Sequence, residues 1–421
     1  MNINQLEFDC ICRLNSPYFY LNEIRMKKIF IYFLGLLLSS CSTFVEKSLW
    51  EDCDVVATKI VMDNDTVLVC NVDDVRQEIS IPLSSLVEEV YLLKMDNSSK
   101  DMMFSQVCNI TPSDNYLAIL EHNKALLFDK NGRFVRQIAN IGNGPADIVP
   151  GILKLQIDEE ADKIYLTDCN MFRMQVYGLT GGEYIGKIPL YQRAIQPSFH
   201  VDSKEKTVLM AHTPMEGSKS SIWKQDFEGT LIQDIAPSRF KNPKGFWYLG
   251  SDAFYLSKRN DACLLHVVCD PAMNDSLYRY NEVSNQVHPL FAVNFPYEVP
   301  DHWLFATSDY YMITINENSG DIASGFSNRP QKRILVEKNT GKGAYVNILL
   351  DKWGNIPITD CRFYMWGEYF TLALSSEWLA EKIQAALKSN LLSEDENKTL
   401  SKIINDMTED DNTFVLFGKI K

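Results

Sequence analysis

The chain has 421 residues, 46% hydrophobic and 23% charged, a balance that suits a folded globular protein and excludes a disordered or low-complexity one. Its formal charge of −14 leaves no excess of Lys and Arg. That argues against nucleic acid as a partner and against charge-driven binding to an anionic membrane surface, since both reward clustered cations.

From Met26 the sequence reads MKKIFIYFLGLLLSSCS. Two lysines precede an apolar run, Ile29 to Leu38, that is too short for a bilayer core of about 30 Å but fits the h-region of a signal peptide. Leu38, Ser39, Ser40 and Cys41 match the lipobox of bacterial lipoproteins. That resemblance implies cleavage before Cys41, lipidation of Cys41, and a membrane partner reached through acyl chains. Residues 1–25 stand upstream of this complete signal and carry acidic side chains, so Met26 is the expected start. Ser42 after the lipidated cysteine is compatible with outer-membrane sorting, with the side of the membrane left open.

Residues 42–77 read as a polar N-terminal lead-in, and residues 78–421 as a succession of short strands. ALLFDKNGRFVRQIA holds two alternating runs around Asp129-Lys130-Asn131-Gly132, a hairpin signature. The next unit gives four strands near Ile152–Ile157, Lys163–Thr167, Arg173–Tyr177 and Tyr184–Leu190, with its turn at Gly181-Gly182. Later units turn at Gly229 and Gly341, and Gly132, Gly182 and Gly229 are 50 and 47 residues apart. A period of roughly 40–55 residues with four strands each predicts a β-propeller.

The fold class expected is therefore all-β, a six-bladed β-propeller of four-stranded antiparallel blades. The last blade starts at CRFYMWGEYFTLALSS, takes a third strand from Thr413–Ile420, and takes its fourth from EISIPLSSLVEEVYLLK near the N-terminus. Such a closure removes an exposed edge. A two-helix insertion, about 376–408, interrupts that blade. Ser376 is the expected cap of the first helix, and Ser393 with Glu396 forms a capping box for the second. Joining second and third strands, the pair should lie on the face that carries the blade-to-blade crossovers.

IGNGPADIVPG, Ile141 to Gly151, contains a Gly-x-Gly. No lysine and no amphipathic helix follow it, so neither a Walker loop nor a dinucleotide fingerprint is complete. Gly142, Gly144, Pro145 and Asp147 are read instead as a crossover turn at the channel rim, from the outer strand of one blade to the inner strand of the next.

With GRFVRQI before it and DKIYLTDCNMFRMQVYGLTGG after it, this crossover resembles that of the six-bladed β-propeller lipoproteins of Gram-negative gut and environmental bacteria, distant relatives of NHL-type propellers. Their typical crossover reads G-x-GPGEY. Here Ala146, Asp147 and Ile148 replace its last three residues, so the match is degenerate. The resemblance covers roughly residues 78–421 and implies a fold and an envelope location, with no activity attached.

Propellers act most often at the channel mouth. Trp247, Trp303 and Trp366 lie near predicted blade starts and are the candidate ligand surface, since exposed rings stack on sugars or pack against a partner. The bland reading of each ring is a wedge between blades. The six histidines are scattered, with no pair at ligand spacing on one strand, and Asp158-Glu159-Glu160 fits a solvated turn. No catalytic residue, metal site or cofactor is therefore assigned. Without Cys10, Cys12 and Cys41, seven cysteines remain, none in a CxxC, with Cys263–Cys269 the one conceivable disulfide. Asp65-Thr66-Val67 and Asp275-Ser276-Leu277 resemble a short envelope O-glycosylation signal.

The expectation is a membrane-anchored binding module for a glycan, a peptide or an envelope protein. The alternatives are a metal-dependent lactonase- or lyase-like enzyme at the channel mouth and a structural subunit of an envelope complex.

Overall fold

Apolar residues at every second position bury one face of a strand, and in this chain both faces are buried because each sheet is wedged between two others. The computed structural model describes residues 49–421 except 63–64, 106, 108, 122, 143, 150–153, 168–169, 196, 213–216, 241–253, 260–261, 268–275, 297–298, 301, 317–330, 360, 362, 390 and 409. The side chains of 62, 170–171, 195, 239–240, 254–259, 262–267 and 366 also lie outside the description. The lipobox residues Leu38, Ser39, Ser40 and Cys41, and Trp247, fall outside the described residues.

Six antiparallel four-stranded units make a six-bladed propeller. The first blade is Asn109–Pro112, Tyr116–Leu120, Ala125–Asp129 and Phe134–Ala139. The second is Lys154–Asp158, Lys163–Thr167, Asn170–Gly178 and Tyr184–Ile195. The third is Ser198–Asp202, Thr207–Ala211, Ile222–Asp226 and Leu231–Ile235. The fourth is Phe254–Arg259, Ala262–Val267, Ser276–Asn281 and Gln286–Asn294, and the fifth is His302–Ala306, Tyr310–Asn316, Gln331–Glu337 and Gly343–Leu350. In the sixth, Phe363–Trp366, Tyr369–Leu374 and Phe414–Ile420 are joined by Val87–Leu93 from the other end of the chain. Tyr369–Leu374 then packs on Asn109–Pro112 of the first blade.

The cores lie between blades. Ala118, Leu127, Leu155, Ile164 and Leu166 fill the seam between the first and second, and Tyr165, Met174, Phe199, Met210 and Trp223 the next. The seam between sixth and first is filled from both chain ends by Met95, Phe128, Val415 and Phe417.

The turn glycines Gly132, Gly182, Gly229 and Gly341 all take left-handed φ, between 70° and 86°. Gly132 is also short of room, because a β-carbon there would lie 2.6 Å from the Lys94 carbonyl oxygen.

The N-terminal strands distribute themselves differently from the expectation. Only Val87–Leu93 enters the sixth blade, whereas Glu78–Pro82 runs parallel to Gly343–Leu350 and widens the fifth. Pro82 and a 3-10 turn at Leu83–Ser85 break the segment between them. Upstream, Asp65–Asn71 runs parallel to Gln286–Asn294 and pairs with Ala57–Met62, so the fourth blade becomes a six-stranded sheet. His288 Nδ1 meets the Asp65 carboxylate at 3.1 Å across this added seam.

Helix α1 (Ser376–Lys388) and helix α2 (Glu394–Asn405) fill the insertion. Ser375, one residue before the expected cap, accepts from the Trp378 N–H, while the Ser393–Glu396 capping box forms as read. The pair packs on Asp351–Trp353 and Ile356–Pro357, the crossover from fifth to sixth blade. Lys94 Nζ meets the Asp411 carboxylate at 2.8 Å, and Asn412 Nδ2 donates to the Asp96 and Met102 carbonyls, tying the insertion to the crossover from sixth to first. Among the described residues no helix is long and apolar enough to cross a membrane.

Candidate functional site

The segment from Ile141 to Ile148 links the outer strand of the first blade to the inner strand of the second. Ile148 N–H donates to the Asn140 carbonyl at 2.9 Å and Gly142 N–H to the Ile148 carbonyl at 3.2 Å, folding the segment back on itself. Asp147 then caps it, its Oδ2 accepting from the Gly144 N–H at 2.7 Å. The same oxygen occupies the space that β-carbons on Gly142 and Gly144 would need, so Gly142 is required for room rather than for a left-handed backbone. A carboxylate already held over the Gly-x-Gly leaves that N–H facing an anion of the protein's own.

Two side chains of the second blade brace this crossover from below. Gln175, fully buried, donates to the Asp147 carbonyl at 2.5 Å, and the Tyr177 hydroxyl lies 2.7 Å from the Ala146 carbonyl oxygen. Burial pushes the Tyr177 phenol far above its ordinary value, so it stays a neutral donor. Sequence reading passed over both residues. The signal in FRMQVYG was weak, since Gln175 alternates with Arg173 and Tyr177 on the face opposite the apolar Phe172, Met174 and Val176. Gln225, one blade on, reaches the outer strand of the second blade instead, donating to the Pro189 carbonyl and accepting from the Tyr191 N–H, both at 2.8 Å. In the fifth blade Arg333 braces a crossover with a cation, the one that leaves its blade, donating to the Ile358, Thr359 and Cys361 carbonyls and to Gln331 Oε1.

Three large apolar side chains at this end of the second blade are exposed. Ile141 is 39% exposed, Val149 54% and Phe172 65%, the first two on the crossover and Phe172 near the start of the third strand of the second blade. Pro145, on the same crossover, is exposed too.

The three tryptophans are distributed unevenly. Trp303 is half-buried near the crossover end of the fifth inner strand, and Trp366 closes the sixth inner strand at its opposite end. These two therefore do not share one rim.

Glu159 is engaged rather than solvated, accepting from the Asn115 N–H and Nδ2, each at 2.7 Å, across the first two blades. Burial opposes its ionisation, but these bonds and those from Ser113 and Asp114 hold it below the ordinary carboxylate value. Among the described residues no group of three or more His, Cys, Asp and Glu could hold a metal ion. Cys53, Cys70 and Cys361 are buried. Ser276, in one of the two glycosylation-like tripeptides, is 1% exposed within a strand, whereas Thr66 in the other is exposed.

A family model described as a domain of unknown function, DUF4934, matches residues 67–419. No curated protein matches the sequence. Among solved structures, a Bacteroides fragilis protein thought to be exported superposes with a TM-score of 0.58 at 16% identity, covering 84% of this chain and 99% of that one. A member of the DUF4221 family from Bacteroides vulgatus reaches a TM-score of 0.44 at 12% identity, covering 80% of this chain and 97% of that one. At such identities the first likeness concerns the fold.

Proposed function

The chain belongs to the DUF4934 family, and from that premise we propose that it is a lipid-anchored propeller of the cell envelope whose crossover face binds a glycan, peptide or partner protein without catalysing a reaction. The observation that carries this reading is the set Ile141, Val149 and Phe172, exposed apolar side chains beside a backbone that Asp147, Gln175 and Tyr177 hold in place. A surface ordered before its partner arrives loses little entropy on binding, and apolar side chains held that way are what recognition uses.

The anchor rests on Leu38-Ser39-Ser40-Cys41. Expression with a radiolabelled fatty acid should label the wild type, and Cys41→Ser should abolish the label and release the protein from membranes. Labelling that survives the substitution would remove the anchor from the proposal.

Binding is tested by melting Ser42–Lys421 against host and bacterial glycans, peptides, divalent metals and chelator. A shift with a glycan or peptide that is lost in Phe172→Ala and Val149→Ser supports the module. A shift with metal that chelator reverses would overturn it in favour of a metal-dependent enzyme. If no small ligand shifts the transition, pull-down from envelope extracts on wild type and Phe172→Ala distinguishes a protein partner.

A further inference from the structure

Among the described residues, three buried polar atoms at one end of the seam between the second and third blades have no hydrogen-bond partner: Thr167 Oγ1, His212 Nδ1 and Ser221 Oγ. All three residues are at most 1% exposed. Strand parity places them on facing surfaces. In the second blade Tyr165 packs into this seam while Ile164 and Leu166 pack into the preceding one, so Thr167 points the same way as Tyr165. In the third blade Val208, Met210 and Trp223 face the seam, which sends His212 and Ser221 there too. His212 N–H donates to the Ser221 carbonyl at 3.0 Å, so these two are cross-strand neighbours. Thr167 ends one second strand and His212 follows directly on the other, so all three sit at the crossover end.

The chemistry the group needs is set by His212. Its Nε2 lies 2.8 Å from the Ser220 carbonyl oxygen and 3.1 Å from Gln192 Nε2, and the shorter contact, to an oxygen that can only accept, places the proton on Nε2. Gln192 fixes that carbonyl, accepting from the Lys219 and Ser220 N–H groups through Oε1 and donating to the Ser220 oxygen through Nε2. Nδ1 is thereby left as a bare acceptor, and burial keeps the ring neutral. Two hydroxyls, each able to donate and accept, and one bare acceptor call for a small group with a proton to give.

The ladder above is open. Met171 pairs with Ala194 but Arg173 with Pro189, so Phe172 alone stands against Leu190–Arg193. Phe172, with the parity of Met174 and Val176, is the exposed ring at that opening.

We propose that the crossover end of the seam between the second and third blades is a binding site for a neutral hydroxyl donor, water or the hydroxyl of a sugar, which donates to His212 Nδ1 and joins it to the Thr167 and Ser221 hydroxyls. Buried polar atoms in natural proteins are satisfied in this way by enclosed oxygen atoms that make two to four hydrogen bonds. The site shares Phe172 with the apolar set of the proposed function but uses neither Ile141 nor Val149, and its hydroxyls and His212 are tested apart from that surface.

Thr167→Val and Ser221→Ala, each preserving or reducing volume, decide the question by the sign of the change in Tm. Where the hydroxyls bind an enclosed donor, both substitutions lower Tm by on the order of a few degrees, because the bound group loses a partner. Where the hydroxyls are orphans, the isosteric valine leaves Tm unchanged or raises it, and that overturns the proposal. Melting with methyl glucoside separates the sources. A stabilisation of wild type that Thr167→Val lacks names the sugar hydroxyl, and equal behaviour of both, with the substitutions still lowering Tm, names water. The tautomer is an independent readout. Imidazole ¹⁵N spectra should show His212 protonated on Nε2 with Nδ1 accepting, and a proton on Nδ1 would overturn the assignment.

Discussion

The Asp147 carboxylate accepts from the Gly144 N–H at 2.7 Å and fills the space above both Gly142 and Gly144. The three residues form one unit, and a double-mutant cycle should show it. Gly142→Ala forces a methyl group into the carboxylate and should cost about 1–3 kcal/mol in urea unfolding. Asp147→Ala removes a charged acceptor that is half-exposed and should cost about 1 kcal/mol. The double variant should be less destabilised than the sum, since the methyl group then has room. Strict additivity would show that Asp147 does not set the glycine requirement.

His212 is buried and its pKa is pushed down to about 4 by desolvation, with the Ser220 carbonyl pulling weakly the other way. The unfolded ring titrates near 6.5. Between those values the unfolded chain binds the proton and the folded one does not. Stability from this residue is therefore fully present above about pH 6.5 and is lost as pH falls toward 4, by about 3 kcal/mol at most. Comparing wild type with His212→Asn isolates this contribution from the carboxylates. The difference in unfolding free energy should change steadily between pH 7 and pH 4.5, and a pH-independent difference would contradict the burial of a neutral ring.

Arg333 is 2% exposed, and its guanidinium is met by the Ile358, Thr359 and Cys361 carbonyls and Gln331 Oε1, with the Phe363 ring 4.1 Å below. A planar fork reaches several acceptors at once, which an ammonium cannot. Arg333→Lys should therefore lose about 3 kcal/mol of stability, close to the loss in Arg333→Met, because either change leaves buried acceptors bare. Amide exchange should rise first at residues 358–361. A lysine variant as stable as wild type would mean that charge alone suffices there.

How much of this was readable beforehand differs by the range of the interaction. Gly132, Gly182, Gly229 and Gly341 announced their turns because a left-handed φ is a demand on one residue. Ser393 and Glu396 announced a helix start for the same reason, the cap being complete within four residues. The strand Glu78–Pro82 was recognisable as a strand, but its alternation could not say which edge it would join, and it joined the fifth blade in parallel. The brace at the crossover needs Gln175 and Asp147, 28 residues apart, and only folding reveals that pairing. Trp303 and Trp366 were legible as blade-start aromatics, while the end of the channel that each occupies depends on strand direction.

The chain closes its ring through Phe414–Ile420, which pairs with Tyr369–Leu374 on one side and Val87–Leu93 on the other. Val415 and Leu416 are fully buried, and Val415 and Phe417 pack against Phe128 of the first blade. Truncation after Asn412 therefore removes the middle of a blade and one wall of a seam together, and calorimetry should show no cooperative transition. The hairpin of Ala57–Met62 and Asp65–Asn71 is different, because it is added outside a fourth blade that already has four strands. A chain starting at Val75 loses Val67 and Cys70, both fully buried, and should melt at lower temperature but still cooperatively. Cooperative melting of the C-terminal truncation would show that five blades close without the sixth. Complete unfolding of the N-terminal truncation would show that the added strands belong to the ring itself rather than to its rim.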